Sequence, residues 1–285
     1  MSLTPTISAV ELSTLIDAPN LRLFDCRFSL KDTDLGATQY SRSHLPNAQY
    51  MHLDHDLSIH ATAGAGRHPL PSIDEARRMF ESKGVSSDSI VVAYDANYNA
   101  FAGRLWWLAR YAGISNVRIL DGGLQAWAEL EMPMSNEVPV FEKGRIQGSS
   151  TMNVASVVEI EEIANGKSSS MLIDARDYIR YAGHKEPLDK RAGHVPNALN
   201  APFTENMDEE GKFLPKGVLR KRFSDLIGNE ATGDNIIHMC GSGVTACNNI
   251  IAMELAGYTG SVLYPGSWSG WIEDPQHAAA TEAES

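Results

Sequence analysis

Three cysteines in 285 residues are too few, and odd in number, for a disulfide framework. Free thiols suit a reducing compartment such as the cytoplasm. No apolar run approaches the roughly 20 residues needed to cross a bilayer. The N-terminus, Met1-Ser2-Leu3-Thr4-Pro5-Thr6, lacks the basic-then-apolar pattern of a secretory signal. A cytoplasmic protein without a membrane partner is therefore expected. Positive charge is also scarce. Lys and Arg number 24 against 36 Asp and Glu, a formal net charge of −12, which argues against a nucleic-acid partner. An anion can bind such a chain only where the local potential is positive, at an arginine or a helix N-terminus.

What is present is a repeat. Leu23-Phe24-Asp25-Cys26-Arg27 returns as Leu172-Ile173-Asp174-Ala175-Arg176, and Ser43-His44-Leu45-Pro46-Asn47-Ala48 as Gly193-His194-Val195-Pro196-Asn197-Ala198. Asp88-Ser89-Ile90-Val91 matches Asp234-Asn235-Ile236-Ile237, and Trp127 matches Trp271. Blocks in one order at nearly constant offset mean two copies of one domain. Short apolar runs (90–94, 117–120, 236–239, 262–264) alternate with amphipathic stretches (73–83, 103–111, 218–227, 244–256), the pattern of a parallel sheet with helices on both faces. The expected division is a first α/β domain over 1–132, a linker over 133–151, a second α/β domain over 152–277 and a disordered tail over 278–285.

The copies differ in one loop. In the second, the strand 236–239 runs into Cys240-Gly241-Ser242-Gly243-Val244-Thr245 and then a helix. In the first, the equivalent stretch is Tyr94-Asp95-Ala96-Asn97-Tyr98-Asn99-Ala100-Phe101, two residues longer and without cysteine. A cysteine at the C-terminal end of a parallel strand faces the crevice where α/β sheets bind ligands. Two glycines let successive N–H groups turn inward as an anion nest, and the next helix presents its positive end to the same place. A thiolate is stabilised there.

On these motifs the chain resembles the two-domain 3-mercaptopyruvate and thiosulfate sulfurtransferases, tandem rhodanese-like proteins whose N-terminal copy is inactive. Cys-Gly-Ser-Gly-Val-Thr resembles the 3-mercaptopyruvate loop; the thiosulfate enzymes carry Arg and Lys after the cysteine. His194-Val195-Pro196-Asn197-Ala198 and Tyr264-Pro265-Gly266-Ser267-Trp268-Ser269-Gly270-Trp271 resemble two further family blocks. The resemblance implies that Cys240 takes sulfur from a small anionic donor, becomes a persulfide, and passes the sulfur to cyanide, a small thiol or thioredoxin, with no cofactor and no metal. It implies that Ser242 polarises the donor or relays a proton, with Asp54 and His68 completing the relay. Arg180 would grip the donor carboxylate, and Gly241, Gly243, Val244 and Thr245 would line its site.

Structural alternatives stay open: Ser242 as a small loop residue, His68 as a surface-loop histidine and Arg180 as a surface arginine. One departure stands out. The family's 3-mercaptopyruvate enzymes often add an arginine shortly after a Glu-Pro, but here Glu186-Pro187 is followed by Leu188-Asp189-Lys190-Arg191. Lys190 or Arg191 is left to substitute. Thiosulfate is the alternative donor, although a dianion gains most from loop cations that are missing here. A phosphatase of the Cys-x5-Arg kind is disfavoured because the sixth residue after Cys240 is Ala246. The paired Asp25/Arg27 and Asp174/Arg176, present in both copies, are expected to be internal ion pairs.

Overall fold

Alternating strand and helix signals resolve, in a computed structural model, into two five-stranded sheets; residues 3–228 and 232–282 are described. The first repeat runs β1 (Thr6–Ile7), α1 (Ala9–Leu15), β2 (Leu21–Asp25), α2 (Leu35–Arg42), β3 (Ala48–Tyr50), α3 (Ile73–Ser82), β4 (Ile90–Tyr94), α4 (Ala100–Tyr111), β5 (Val117–Leu120) and α5 (Gly123–Ala128). Its strands lie in the order β1-β5-β4-β2-β3, all parallel. The second repeats the plan with β6 (Asn153–Val154), α6 (Val157–Ala164), β7 (Met171–Asp174), α7 (Tyr178–Tyr181), β8 (Leu199–Asn200), α8 (Lys216–Ile227), β9 (Ile236–Met239), α9 (Ala246–Ala256), β10 (Val262–Leu263) and α10 (Ser267–Trp271). Its order is β6-β10-β9-β7-β8, again all parallel.

The chain divides into two compact units that interleave in sequence. One holds 1–59, 70–151 and 207–213; the other holds 60–69, 152–206 and 214–285. Trp127 closes the core of the first against Leu23, Val92 and Tyr94. Trp268 and Trp271 do the same in the second, against Leu172 and Met239. The edge strands β1 and β6 have only two residues each, which is why they carry no readable alternation.

Within each unit the repeated motifs are structural. Arg27 Nε and Nη2 fork onto the Asp25 carboxylate while Nη2 also donates to Ser43 O; Arg176, Asp174 and Gly193 O repeat the arrangement. His44 and His194 stack on Tyr40 and Tyr181 at 3.9 and 3.8 Å between ring centroids. Asn47 (φ 62°) and Asn197 (φ 67°) take the left-handed turn that the Pro-Asn pair signals.

Three expected boundaries are corrected. Residues 133–151, read as a linker, pack on the first unit: Ser135 pairs with His44, Ile146 N–H donates to Glu81, and Arg22 stacks on Phe141. Residues 60–69, read as part of the first domain, belong to the second unit. Residues 278–282 of the expected tail are tied down by paired backbone hydrogen bonds between Ala280 and His194 and by Glu282 N–H to Ala182 O. In each case the backbone finds hydrogen-bond partners that low local hydrophobicity does not advertise. The last three residues of that tail lie outside the described ones.

Candidate active site

The site grows from the end of β9. Its four residues are buried on both faces of the sheet, and Cys240 follows at 2 % exposure. The closing segment holds the loop in place by backbone hydrogen bonds. Trp268 N–H donates to Cys240 O at 3.0 Å, and Ser269 N–H donates to Gly241 O at 2.9 Å. Cys240 N–H donates to Ser267 Oγ at 3.1 Å, whose hydroxyl donates to Tyr264 O at 2.9 Å. Ser267 does this from a left-handed φ of 50°, a conformation that costs a non-glycine residue about 1–3 kcal/mol and persists only where the surroundings enforce it.

Gly243 turns the loop at φ +74°, with Pro265 packed where a side chain would start. Thr245 caps α9, and Val244 O accepts from Cys247 N–H. Cys247 is buried, its thiol directed at Gly243 O at 3.5 Å, as expected of a packed thiol.

The first repeat carries an aspartate at the equivalent place. Asp95 takes the position of Cys240, one residue past β4, and is fully buried. Its carboxylate accepts four backbone N–H bonds, from Asn97, Asn99, Phe101 and Ala102, at 2.7 to 3.0 Å. Burial raises its pKa above the ordinary carboxylate range and the four N–H donors oppose that rise. A hydrogen-bonded carboxylate thus stands in the first repeat where the second carries the cysteine.

The segment 60–69 delivers two side chains to the Cys240 loop. Glu273 accepts from Gly64 N–H and Gly66 N–H, and Ser269 Oγ accepts from Arg67 N–H at 3.1 Å. His68, 6 % exposed, then sits with Nδ1 at 2.7 Å from Ser242 Oγ. The surface-loop alternative for His68 does not hold. Asp54 belongs to the other unit, in the turn after β3, where its N–H donates to His52 Nδ1 at 3.1 Å.

Arg180 projects from α7 onto the same loop. A Cβ placed on Gly241 would lie 3.4 Å from Arg180 Nη2 and 3.1 Å from Arg67 Nη2, so two guanidiniums face that glycine. Arg67 was not singled out from sequence, although an arginine between Gly66 and His68 in so acidic a chain was a usable signal. It is a second cation beside Gly241. Arg191 is committed elsewhere: it donates to His277 O at 2.6 Å and accepts from Trp268 Nε1 through its carbonyl. Lys190 borders a cavity of about 560 Å³ lined also by Gly66, Arg67, Leu188, Asp189 and Glu273.

Both guanidiniums have carboxylate partners. Asp189 Oδ1 pairs with Arg67 and Oδ2 with Arg180 at 3.1 Å; Glu186 holds Arg180 at 2.9 Å and Arg176 at 3.4 Å. Burial alone would raise Glu186, but hydrogen bonds from Arg180 and from the N–H groups of Leu188 and Asp189 bring it below its ordinary value. For Asp189 burial prevails, and its pKa stands above the ordinary value although Arg67 opposes the rise.

This arrangement has known counterparts. The rhodanese-like domain model matches residues 8–130 and 156–274. A Pseudomonas aeruginosa protein described as a probable 3-mercaptopyruvate sulfurtransferase is 39% identical over 283 residues, covering 99% of each chain. A Mycobacterium tuberculosis protein described as a putative thiosulfate sulfurtransferase is 36% identical over 94% of each. The solved 3-mercaptopyruvate sulfurtransferase of Leishmania major superposes with a TM-score of 0.79 at 29% identity, covering 96% of this chain and 75% of that one. Two rhodanese-type sheets, a cysteine loop at one of them and relatives at this identity lead to one assignment: the chain belongs to the rhodanese family, as a tandem-domain sulfurtransferase.

Proposed function

We propose that the protein moves sulfur from 3-mercaptopyruvate through a Cys240 persulfide to a thiol or cyanide, releasing pyruvate. The observation that carries this is the Ser242–His68 hydrogen bond beside Cys240, in a loop faced by two guanidiniums. The Cys240 thiolate attacks the donor sulfur and an Sγ–S bond forms. The C–S bond breaks, and its electron pair leaves on the enolate of pyruvate. That enolate needs a proton, and the Ser242 hydroxyl with His68 Nδ1 behind it is a two-group path to supply one. Arg180 and Arg67 anchor the donor carboxylate, and the positive N-terminal end of α9 favours the persulfide anion. An acceptor thiolate or cyanide then attacks the outer sulfur, and the Cys240 thiolate is regenerated. Asp54 is proposed to complete the proton path and reduced thioredoxin to serve as one acceptor, both on family resemblance alone.

Thiosulfate as main donor is the second reading, favoured by the additional cation Arg67 beside Gly241. The deciding measurement is kcat/KM for both donors with cyanide as acceptor, alongside Cys240→Ser. Mass spectrometry after donor alone should find one added sulfur atom on the peptide carrying Cys240. Full activity in Cys240→Ser ends the assignment. Thiosulfate ahead by more than about tenfold, about 1.4 kcal/mol in transition-state binding, reverses the donor.

A further inference from the structure

Six charged side chains alternate in sign from the end of β7 to the cysteine loop. Asp174 pairs with Arg176, Arg176 with Glu186, Glu186 with Arg180, Arg180 with Asp189, and Asp189 with Arg67. The three guanidiniums and three carboxylates sum to zero. Of the last three members, the two cations face Gly241, and the carboxylate gives an oxygen to each of them. The Asp189 side chain is 4 % exposed, whereas that of Arg67 retains 31 %, so the carboxylate is built in rather than a passing surface contact.

We infer that Arg67 and Asp189 together set the charge preference of the donor site, with Arg67 as the second anion ligand and Asp189 as a fixed counter-charge that disfavours dianions. The reasoning extends the proposed reading of Cys240 as sulfur carrier. A donor anion approaching Gly241 is attracted by Arg67 and Arg180 and repelled by Asp189. The Coulomb energy of each interaction is proportional to the ligand's charge. Neutralising Asp189 therefore helps a dianion twice as much in free energy as a monoanion. In KM terms the dianion's gain is the square of the monoanion's: if the monoanion gains about threefold, the dianion gains about tenfold.

The test uses Asp189→Asn, Arg67→Gln and the double variant, with 3-mercaptopyruvate and thiosulfate as donors and the unreactive anions pyruvate and sulfate as binding probes in calorimetry. Asp189→Asn should lower KM for thiosulfate more than for 3-mercaptopyruvate and tighten sulfate more than pyruvate. It should also steepen the salt dependence of thiosulfate KM. Arg67→Gln should raise KM about threefold for 3-mercaptopyruvate and about tenfold for thiosulfate while kcat moves less than about threefold, with Arg67→Lys recovering part of the loss. In the double variant the preference gained from Asp189→Asn should shrink. Equal shifts for monoanion and dianion, or Arg67→Gln leaving both KM values within twofold, overturn the inference. Failure of the persulfide reading would register differently, as no added sulfur on Cys240, while the pyruvate and sulfate affinities would still judge Arg67 and Asp189.

Discussion

Replacing Gly243 by alanine should damage the protein far more than the same change two residues earlier. At Gly243 the backbone φ is +74°, a region that costs an L-residue about 1–2 kcal/mol. A Cβ there would also lie 2.7 Å from Pro265 O and 3.0 Å from Pro265 Cα. Both are backbone atoms of the segment that carries Ser267, so they cannot swing aside. Forced displacement of packed atoms adds about 1–3 kcal/mol. The sum is about 2–5 kcal/mol for Gly243→Ala, read as a lower urea midpoint at unchanged slope. Since the same displacement loosens the hydrogen bonds to Cys240 and Gly241, kcat should also fall, by about tenfold or more. At Gly241 a new methyl would meet the ends of two long side chains, Arg67 and Arg180, which can retreat. Gly241→Ala should change stability by less than about 1 kcal/mol and act mainly on donor KM. Equal stability of the two variants, or Gly241→Ala as the more destabilised, would refute the account of the loop.

Three further outcomes are expected. His238, fully buried on β9 with neither ring nitrogen partnered among the described residues, is held neutral by burial, its pKa lowered to about 3 from 6.5. The unfolded chain binds that proton and the folded one does not, so stability should fall as pH drops below 6.5, by up to about 1.4 kcal/mol per unit. Urea midpoints of His238→Leu between pH 6.5 and about 4.5 should show a correspondingly shallower slope; parallel curves would contradict this. Asp95→Ala leaves four N–H donors, three of them buried, without their acceptor, and should lower stability by about 3–5 kcal/mol with kcat for sulfur transfer nearly unchanged. Ser242→Ala and His68→Gln should each lower kcat by about 10²–10⁴-fold, and the double variant should be little worse than either, the signature of groups acting as one path. Fully additive losses would mean that the two act separately.

Much of the fold was legible because its signals are local. β4, β5 and β9 appear where apolar runs of four or five residues stand between turn residues, and they were read to the residue. The repeated Asp-x-Arg and His-x-Pro-Asn blocks are contacts between near neighbours in sequence, so both copies announced them. Strands β1 and β6 were missed, since two residues carry no period and their place is set by pairing with β5 and β10. At the site, Cys240 was evident from the glycine loop between strand and helix. Ser267 was not, because a serine held at positive φ is recognisable only once Tyr264 O and Cys240 N–H are both beside it.

Patterns a few residues long are enough for the two-copy plan, the parallel sheets and the single cysteine loop. What surrounds that cysteine depends on contacts far apart in the chain. Segment 60–69 lies more than 170 positions from Cys240, yet Glu273 and Ser269 fasten it so that His68 meets Ser242 and Arg67 meets Gly241. Charge is the clearest case. Composition counted an acidic chain with no cation in its loop, whereas the fold gathers two guanidiniums there and sets Asp189 between them. Electrostatic energy depends on distance in space, and that distance exists only after the chain has folded.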